Sequence, residues 1–372
     1  MLGYREATET DGMAFDIIKL LTDVFDPERG EVVTVACDAP RSAADDTEAW
    51  RDRRTMAGEW WMAFAALGQG RGFVTNPLLV YPATGAHGVG LPARGSMSGS
   101  EVDLEAALGR STLAVFLTEY SATAALDGFT RRKADFRAAS LPGVERRMER
   151  TALAADYREV ARRCGVLRDL LFDAERLDVS FSTGHRCSFD LRFRRAEVDD
   201  GYLPRHKQGD RVINLPSGET FIVPYEGEQL AVPSLTAGTI PHMVGKELVL
   251  FQIAGNRIAK VDGLGDEARR LRVYFAADPA RCNVAEVGFG CNRWAQVTGN
   301  VLEDEKAGFH WAYGRSDHLG GTVGVKAFAT PETVVHTDLV YARGNPIQVV
   351  EANAVRGTSR TRILRNGEYI VF

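Results

Sequence analysis

The sequence has little of what marks most specialised classes of protein. Its five cysteines, Cys37, Cys164, Cys187, Cys282 and Cys291, are scattered, odd in number and form no Cys-x-x-Cys pair. Neither a disulfide framework nor a thiolate zinc site is expected, and the thiols are read as small buried hydrophobes. No run of about 18 apolar residues occurs, so no membrane partner is expected. The opening "MLGYREATETDGMAF" has neither a basic nor an apolar stretch, which predicts no secretory signal and a reduced, cytoplasmic setting. Positive charge is not in excess either. The formal charge is -5 and the pI is near 5.9, which argues against a nucleic-acid partner, since that would show as a basic face. "GAHGVG" at 85–90 lacks the spacing and the strand-to-helix context of a dinucleotide fingerprint, so it is read as a loop.

What is present belongs to a soluble α/β chain. At 372 residues it exceeds what one core usually serves, so two domains are expected. Residues 11–25, "DGMAFDIIKLLTDVF", carry apolar positions at helical spacing and stop before the turn "DPERG". "EVVTVACDAP" and "STLAVFLTEYSAT" read as buried strands, and "TEAWRDRRTMAGEWWMAFAALG" as a helix closed by glycine. "VERRMERTALAADYREVARRCGVLRDLL" predicts one long amphipathic, basic-faced helical region over 144–171. Beyond Phe172 the pattern alternates with period two, as in "RLDVSFSTGHRCSFDLRF", and helical spacing returns only at "GDEARRLRVYF". The expected architecture is an N-terminal α/β domain over 1–172 with a buried sheet. A C-terminal, β-rich α+β metal-binding domain follows over 173–372.

The chemistry-bearing residues gather in the second half. Glu219 follows the turn "PSG" at the start of a β-like run, and Glu286 sits in "VAEVGFG". His310 stands between Phe309 and Trp311, and "TVVHTDLVY" supplies His336 and Asp338. On a strand, residues two apart share a face, so His336 and Asp338 project together. A buried carboxylate there needs a cation or a metal, because an unpaired buried charge is costly. Each residue also has an ordinary reading: a solvated turn glutamate, an ion pair of Glu286 with Arg281 or Arg293, a hydrogen-bonded core histidine.

Residues 214–338 resemble the aminopeptidase T family of metallo-aminopeptidases. The family's segments correspond here to "NLPSGE", "EVGFG", "DEKAGFHWAYG", the pair Gly320-Gly321 and "HTD", in that order. The first half resembles the family only in its general α/β texture. The resemblance implies two divalent metal ions (zinc, cobalt or manganese) held by Glu219, Glu286, His310, His336 and Asp338. It implies that Glu286 bridges, that Glu219 binds metal and helps move a proton, and that the aromatics beside His310 form a dry wall around the site. A homodimer acting on a small molecule or a short peptide is also implied. The reaction implied is hydrolysis of an amide or peptide bond by metal-activated water.

The match departs from the family at Asp317, where the family has a tyrosine close to the reacting centre. An ionised carboxylate cannot donate a hydrogen bond to an oxyanion, so Asp317 marks a changed catalytic group. Asp317, Glu305, Glu226 and Glu228 are the acids considered for holding a substrate amine, and the "LTEYSAT" segment (117–123) is a candidate lining loop. The chain also resembles, more distantly, the 2,5-dihydroxypyridine dioxygenases, which use one Fe(II) held by two histidines and one carboxylate. They carry a histidine where this chain has Glu286. An Fe(II) ring-opening dioxygenase is therefore the second expectation, and a specialised biosynthetic enzyme on the same scaffold the third.

Overall fold

The structure, a computed structural model, describes residues 15–372, so the first part of the helix expected over 11–25 lies outside the described residues. Its described part is a helix, Ile17–Phe25, which buries Leu20, Leu21, Val24 and Phe25. Asp16 starts it by accepting from the backbone N–H of Lys19 at 2.9 Å. The second helix, Glu48–Arg71, buries Trp50, Met56, Trp60 and Phe64 along one face. It runs past Gly68, where closure was expected, and ends at Gly72, whose φ of 78° suits the left-handed stop.

The long helix expected over 144–171 is broken. Two short 3-10 turns, Arg146–Arg150 and Ala152–Ala154, precede a helix that begins only at Tyr157 and runs to Leu171. Thr151 between the turns has φ -126° and ψ -118°, outside helical space. The charges that looked like one solvated face are also used locally: Glu149 is buried, and Arg146 pairs with both Glu59 and Glu149.

The chain forms two compact units, one of residues up to Arg158 with Gly201–Pro216, the other of Glu159–Asp200 with Ser217–Phe372. It therefore passes between units at three points rather than once near residue 172. The return at 201–216 has a simple cause, because Val212–Asn214 adds in parallel to Arg137–Pro142 at the edge of the first unit's sheet. Period and composition cannot show such a return, since a three-residue strand carries no pattern.

The first unit is α/β. Strands Val212–Asn214, Arg137–Pro142, Leu113–Thr118, Val32–Ala39 and Leu79–Pro82 lie side by side in parallel, continued by antiparallel Arg94–Met97 and Ser100–Asp103. Leu113–Thr118 is buried throughout, which explains its unbroken apolar sequence. One buried ion pair, Arg137 with Glu31, ties this sheet to the preceding loop, and Arg137 also donates to the carbonyls of Phe25 and Leu203.

The second unit is β-rich. An antiparallel eight-stranded sheet has the order Arg257–Asp262, Glu247–Ala254, Ala237–Val244, Arg186–Asp190, Arg176–Phe181, Val349–Arg356, Ser359–Arg365, Glu368–Tyr369. A five-stranded antiparallel sheet runs Glu197–Asp199, Glu219–Ile222, Val284–Gly290, Gly308–Gly314, His336–Ala342. Phe309 contacts Phe181, Phe289 and Tyr341, and Trp311 contacts Phe251, so aromatic rings fill the space between the two sheets. Phe309 and Trp311 alternate with His310 and so face this core, away from the face that His310 joins. The dry wall expected around His310 is thus a core wall on the other side of its strand. Among the described residues no helix is long and apolar enough to cross a membrane.

Candidate metal centre

The five-stranded sheet presents one face as a platform. Register sets Glu219 opposite Gly290, Gly288 opposite His310, and Ala312 between Glu286 and Asp338. Gly314 lies opposite His336. Every second residue along Val284–Gly290 and Gly308–Gly314 on this face is therefore either a candidate ligand or a small residue that leaves room. Gly288 is required by its neighbour, because a Cβ there would lie 2.1 Å from Nε2 of His310. Gly290 is required by the chain itself, because a Cβ would meet the backbone of Glu305 at 2.2 Å. That clearance lets the 304–307 turn lie down on the sheet beside Glu219.

All five residues proposed as ligands from the sequence meet here. Glu219, Glu286 and His310 form one buried group, and Glu286, His336 and Asp338 form a second that is slightly more open. Within each group the ligand atoms lie within 4.8 Å of one another, and Glu286 belongs to both. His310 Nε2 is 3.3 Å from Glu286 Oε1 and 3.3 Å from Glu219 Oε2. His336 Nε2 is 3.1 Å from Glu286 Oε2 and 3.7 Å from Asp338 Oδ1. Each imidazole is oriented from behind. Nδ1 of His310 donates to the carbonyl of Gly308 at 3.2 Å, and Nδ1 of His336 to that of Arg315 at 2.7 Å. This fixes both rings with Nε2 directed at the carboxylates, as ligating histidines are commonly held.

The residues fit a cation. Glu219 Oε2 and Asp338 Oδ1 are buried and have no hydrogen-bond partner among the described residues. Buried carboxylate oxygens are rarely left so, because the desolvation penalty is large. Burial pushes the Glu219 carboxyl above its usual range, against the opposing charge of Lys306. Burial acts on Glu286 in the same direction, but hydrogen bonds with His310 and His336 outweigh it and hold the carboxyl well below its usual range. Against the burial that disfavours its charge, the bond to Glu286 and the charge of Glu219 raise His310 to about 10. His336 is raised likewise, by Asp338 and Glu286. Both imidazoles are thus held with Nε2 facing Glu286.

The sequence reading did not assign Lys306, Asp199 or His318. Lys306 Nζ meets Glu219 Oε1 at 2.6 Å, Glu305 Oε1 at 2.6 Å and Asp199 Oδ2 at 3.2 Å. Lys306 appears in the quoted "DEK", but nothing in the sequence says where its amine goes. Asp199 comes from the neighbouring strand, opposite Glu219. The ring of His318 packs edge-on against His336 with centroids 5.0 Å apart. Burial and the positive charges beside it lower His318 to about 4, so it is neutral.

The acids considered for a substrate amine have other partners. Glu226 accepts from Asn283 Nδ2, Ser316 Oγ, and both the backbone N–H and the hydroxyl of Thr322. Glu228 pairs with Arg194, Glu305 with Lys306, and Asp317 with Arg315. Asp317 joins neither group of ligands. In the other unit, the 119–121 backbone is fixed by Asp38 and His87.

No protein-family model matches the chain. No curated protein matches it in sequence. Among solved structures, its fold matches 2,5-dihydroxypyridine dioxygenase from Pseudomonas putida with a TM-score of 0.59 at 16% identity, covering 95% of this chain and 96% of that one. It also matches AmpT from Thermus thermophilus with a TM-score of 0.52 at 15% identity, covering 95% of this chain and 98% of that one. At these identities the likeness shows a shared α/β fold.

Proposed function

We propose that this chain is a metal-dependent hydrolase with a dinuclear centre, cleaving an amide or peptide bond next to a free amino group. The observation that carries the reading is Glu286. Its two carboxylate oxygens serve two separate groups of ligand atoms, and each group contains one further buried carboxylate oxygen without a hydrogen bond. Mixed imidazole and carboxylate donors without thiolate suit zinc, cobalt or manganese. Bound there, a pair of divalent ions supplies hydroxide from water at neutral pH and polarises a carbonyl.

The chain's residues do the rest. Glu286 would bridge, Glu219 with His310 would complete the inner position, and His336 with Asp338 the outer one. Backbone carbonyls of Gly308 and Arg315 hold the imidazoles in the ligating tautomer. The more open outer group is where substrate would arrive, and the His318 ring packed against His336 is a group able to hydrogen-bond it. A small molecule or a short peptide is the substrate class proposed.

A single-iron dioxygenase is the competing reading. It needs two histidines and one carboxylate around one ion. Here His310 and His336 fall in different groups, so either group offers one histidine and two carboxylates, which favours the two-ion hydrolase. Elemental mass spectrometry on protein purified without added metal or chelator tests this. Two zinc, cobalt or manganese ions per chain are expected, with turnover of amino-acid amides or dipeptides that Glu286→Gln abolishes. One iron per chain, with consumption of oxygen and an aromatic diol, would overturn it.

A further inference from the structure

Lys306 is 1% exposed and sits among acids. Its ammonium has three donors, and they meet three carboxylates: Glu219 Oε1, Glu305 Oε1 and Asp199 Oδ2. Asp199 is held in turn by the hydroxyl of Ser217, 3.0 Å from its other oxygen. The two oxygens of Glu219 are thereby made unequal. Oε1 is bonded to Lys306 at 2.6 Å, whereas Oε2 is buried without a hydrogen bond, 3.3 Å from Nε2 of His310.

Charge points the same way. The cluster contains the carboxylates Glu219, Glu286, Asp338, Glu305 and Asp199 and one lysine. Lys306 is the cation that faces Glu219, Glu305 and Asp199 together. Without Lys306 nothing would hold Oε1 of Glu219, and Glu219 could turn either oxygen, or both, toward the ion.

Resting on the two-ion reading above, we infer that Lys306 is a positioning residue that clamps Glu219 Oε1, so that Glu219 enters the inner position through Oε2 alone. Lys306 acts only through Glu219 and touches neither substrate nor ion. The turn that carries it lies on Gly290, so its placement is built into the backbone.

The test is calorimetric and spectroscopic titration of chelator-stripped full-length protein with cobalt(II). The unmodified chain should take two equivalents. Lys306→Met should keep one equivalent within about threefold of its original affinity and lose 10- to 100-fold at the other, the usual range for removing a group that orients a ligand. The visible cobalt band of the inner position should change shape, which a general loss of stability would not produce. If Lys306→Met does not fold, Lys306→Arg keeps the charge without the compact three-way contact and should weaken the inner position alone. Two equivalents at unchanged affinity in a folded variant would overturn the inference while leaving the two-ion reading intact, and so would equal weakening of both positions. A single equivalent in the unmodified chain would overturn the two-ion reading and the inference with it.

Discussion

A Cβ placed on Gly288 would lie 2.1 Å from Nε2 of His310, the closest approach that any glycine on the ligand-bearing face makes to a side chain there. The tip of the imidazole lies over a strand that has no side chain at this point, and this lets it reach Glu219 and Glu286 together. Gly288→Ala should therefore displace a fully buried ring. Overpacking of this kind typically costs about 1–3 kcal/mol, which urea unfolding of the metal-free chain would measure. Metal content should fall toward one ion per chain. Full metal content in the variant would mean that the ring has another way to reach its partners.

Much of this platform was legible in the sequence because a strand repeats every two residues. His336 with Asp338, and Glu286 with Gly288 and Gly290, are same-face sets that spacing alone gives. Glu219 and His310 stood out beside them by residue type, the resemblance implied that all five bind metal, and the structure brings the five together. Contacts made across the sheet or over a turn were not legible. Asp199 reaches Lys306 from the edge strand, and Lys306 folds back over Gly290. The same two-residue period, applied to Phe309 and Trp311, places them on the opposite face from His310, so their proximity in sequence was misleading. In the 144–171 segment, the helical spacing was real, but the buried Glu149 and the non-helical Thr151 overrode it.

Titration of the metal-free chain should show the histidine–carboxylate cluster directly. An ordinary imidazole titrates near 6.5, whereas His310 in the folded chain is raised to about 10. A raised folded value means that its contribution to stability is complete below about pH 6.5 and is lost as pH rises through about 10. The stripped protein should thus lose stability between pH 7 and 10, and the loss should be smaller in His310→Gln. Metal uptake competes with the same protons, so affinity should rise over that window as stability of the stripped form falls. A flat difference between the two proteins across the range would sink this account.

The two halves of the centre should release metal at different rates. Glu219 and His310 are buried, whereas the side chain of His336 is 20% exposed and that of Asp338 5%. A chelator such as dipicolinate should remove one ion from the zinc-loaded chain at least about tenfold faster than the other, since ligand exchange needs access for the incoming donor. His336→Ala should eliminate the fast phase and keep the slow one. One uniform phase for both ions would argue that the halves open together.

Glu226, considered from the sequence as an amine anchor, ties down the loop that follows Gly314. Its carboxylate gathers Asn283, Ser316 and Thr322, so both oxygens are already used. Between those contacts lies Arg315, whose carbonyl accepts the Nδ1–H of His336 at 2.7 Å. Asn283 adds a second hold on the same chain by accepting from the N–H of Gly314 at 2.8 Å. Glu226→Ala should free this loop and leave His336 without a fixed tautomer, weakening the outer ion 10- to 100-fold while the inner one is unchanged. Glu226→Gln, which keeps the acceptor oxygen facing one partner, should fall between the two. An amine anchor predicts a different pattern: unchanged metal affinity, a raised KM for substrates with a free amino group, and no change for those without one. Titration with cobalt(II) beside a KM comparison on a free and an N-acetylated amide separates the two, because only the loop role moves metal affinity in the absence of any substrate.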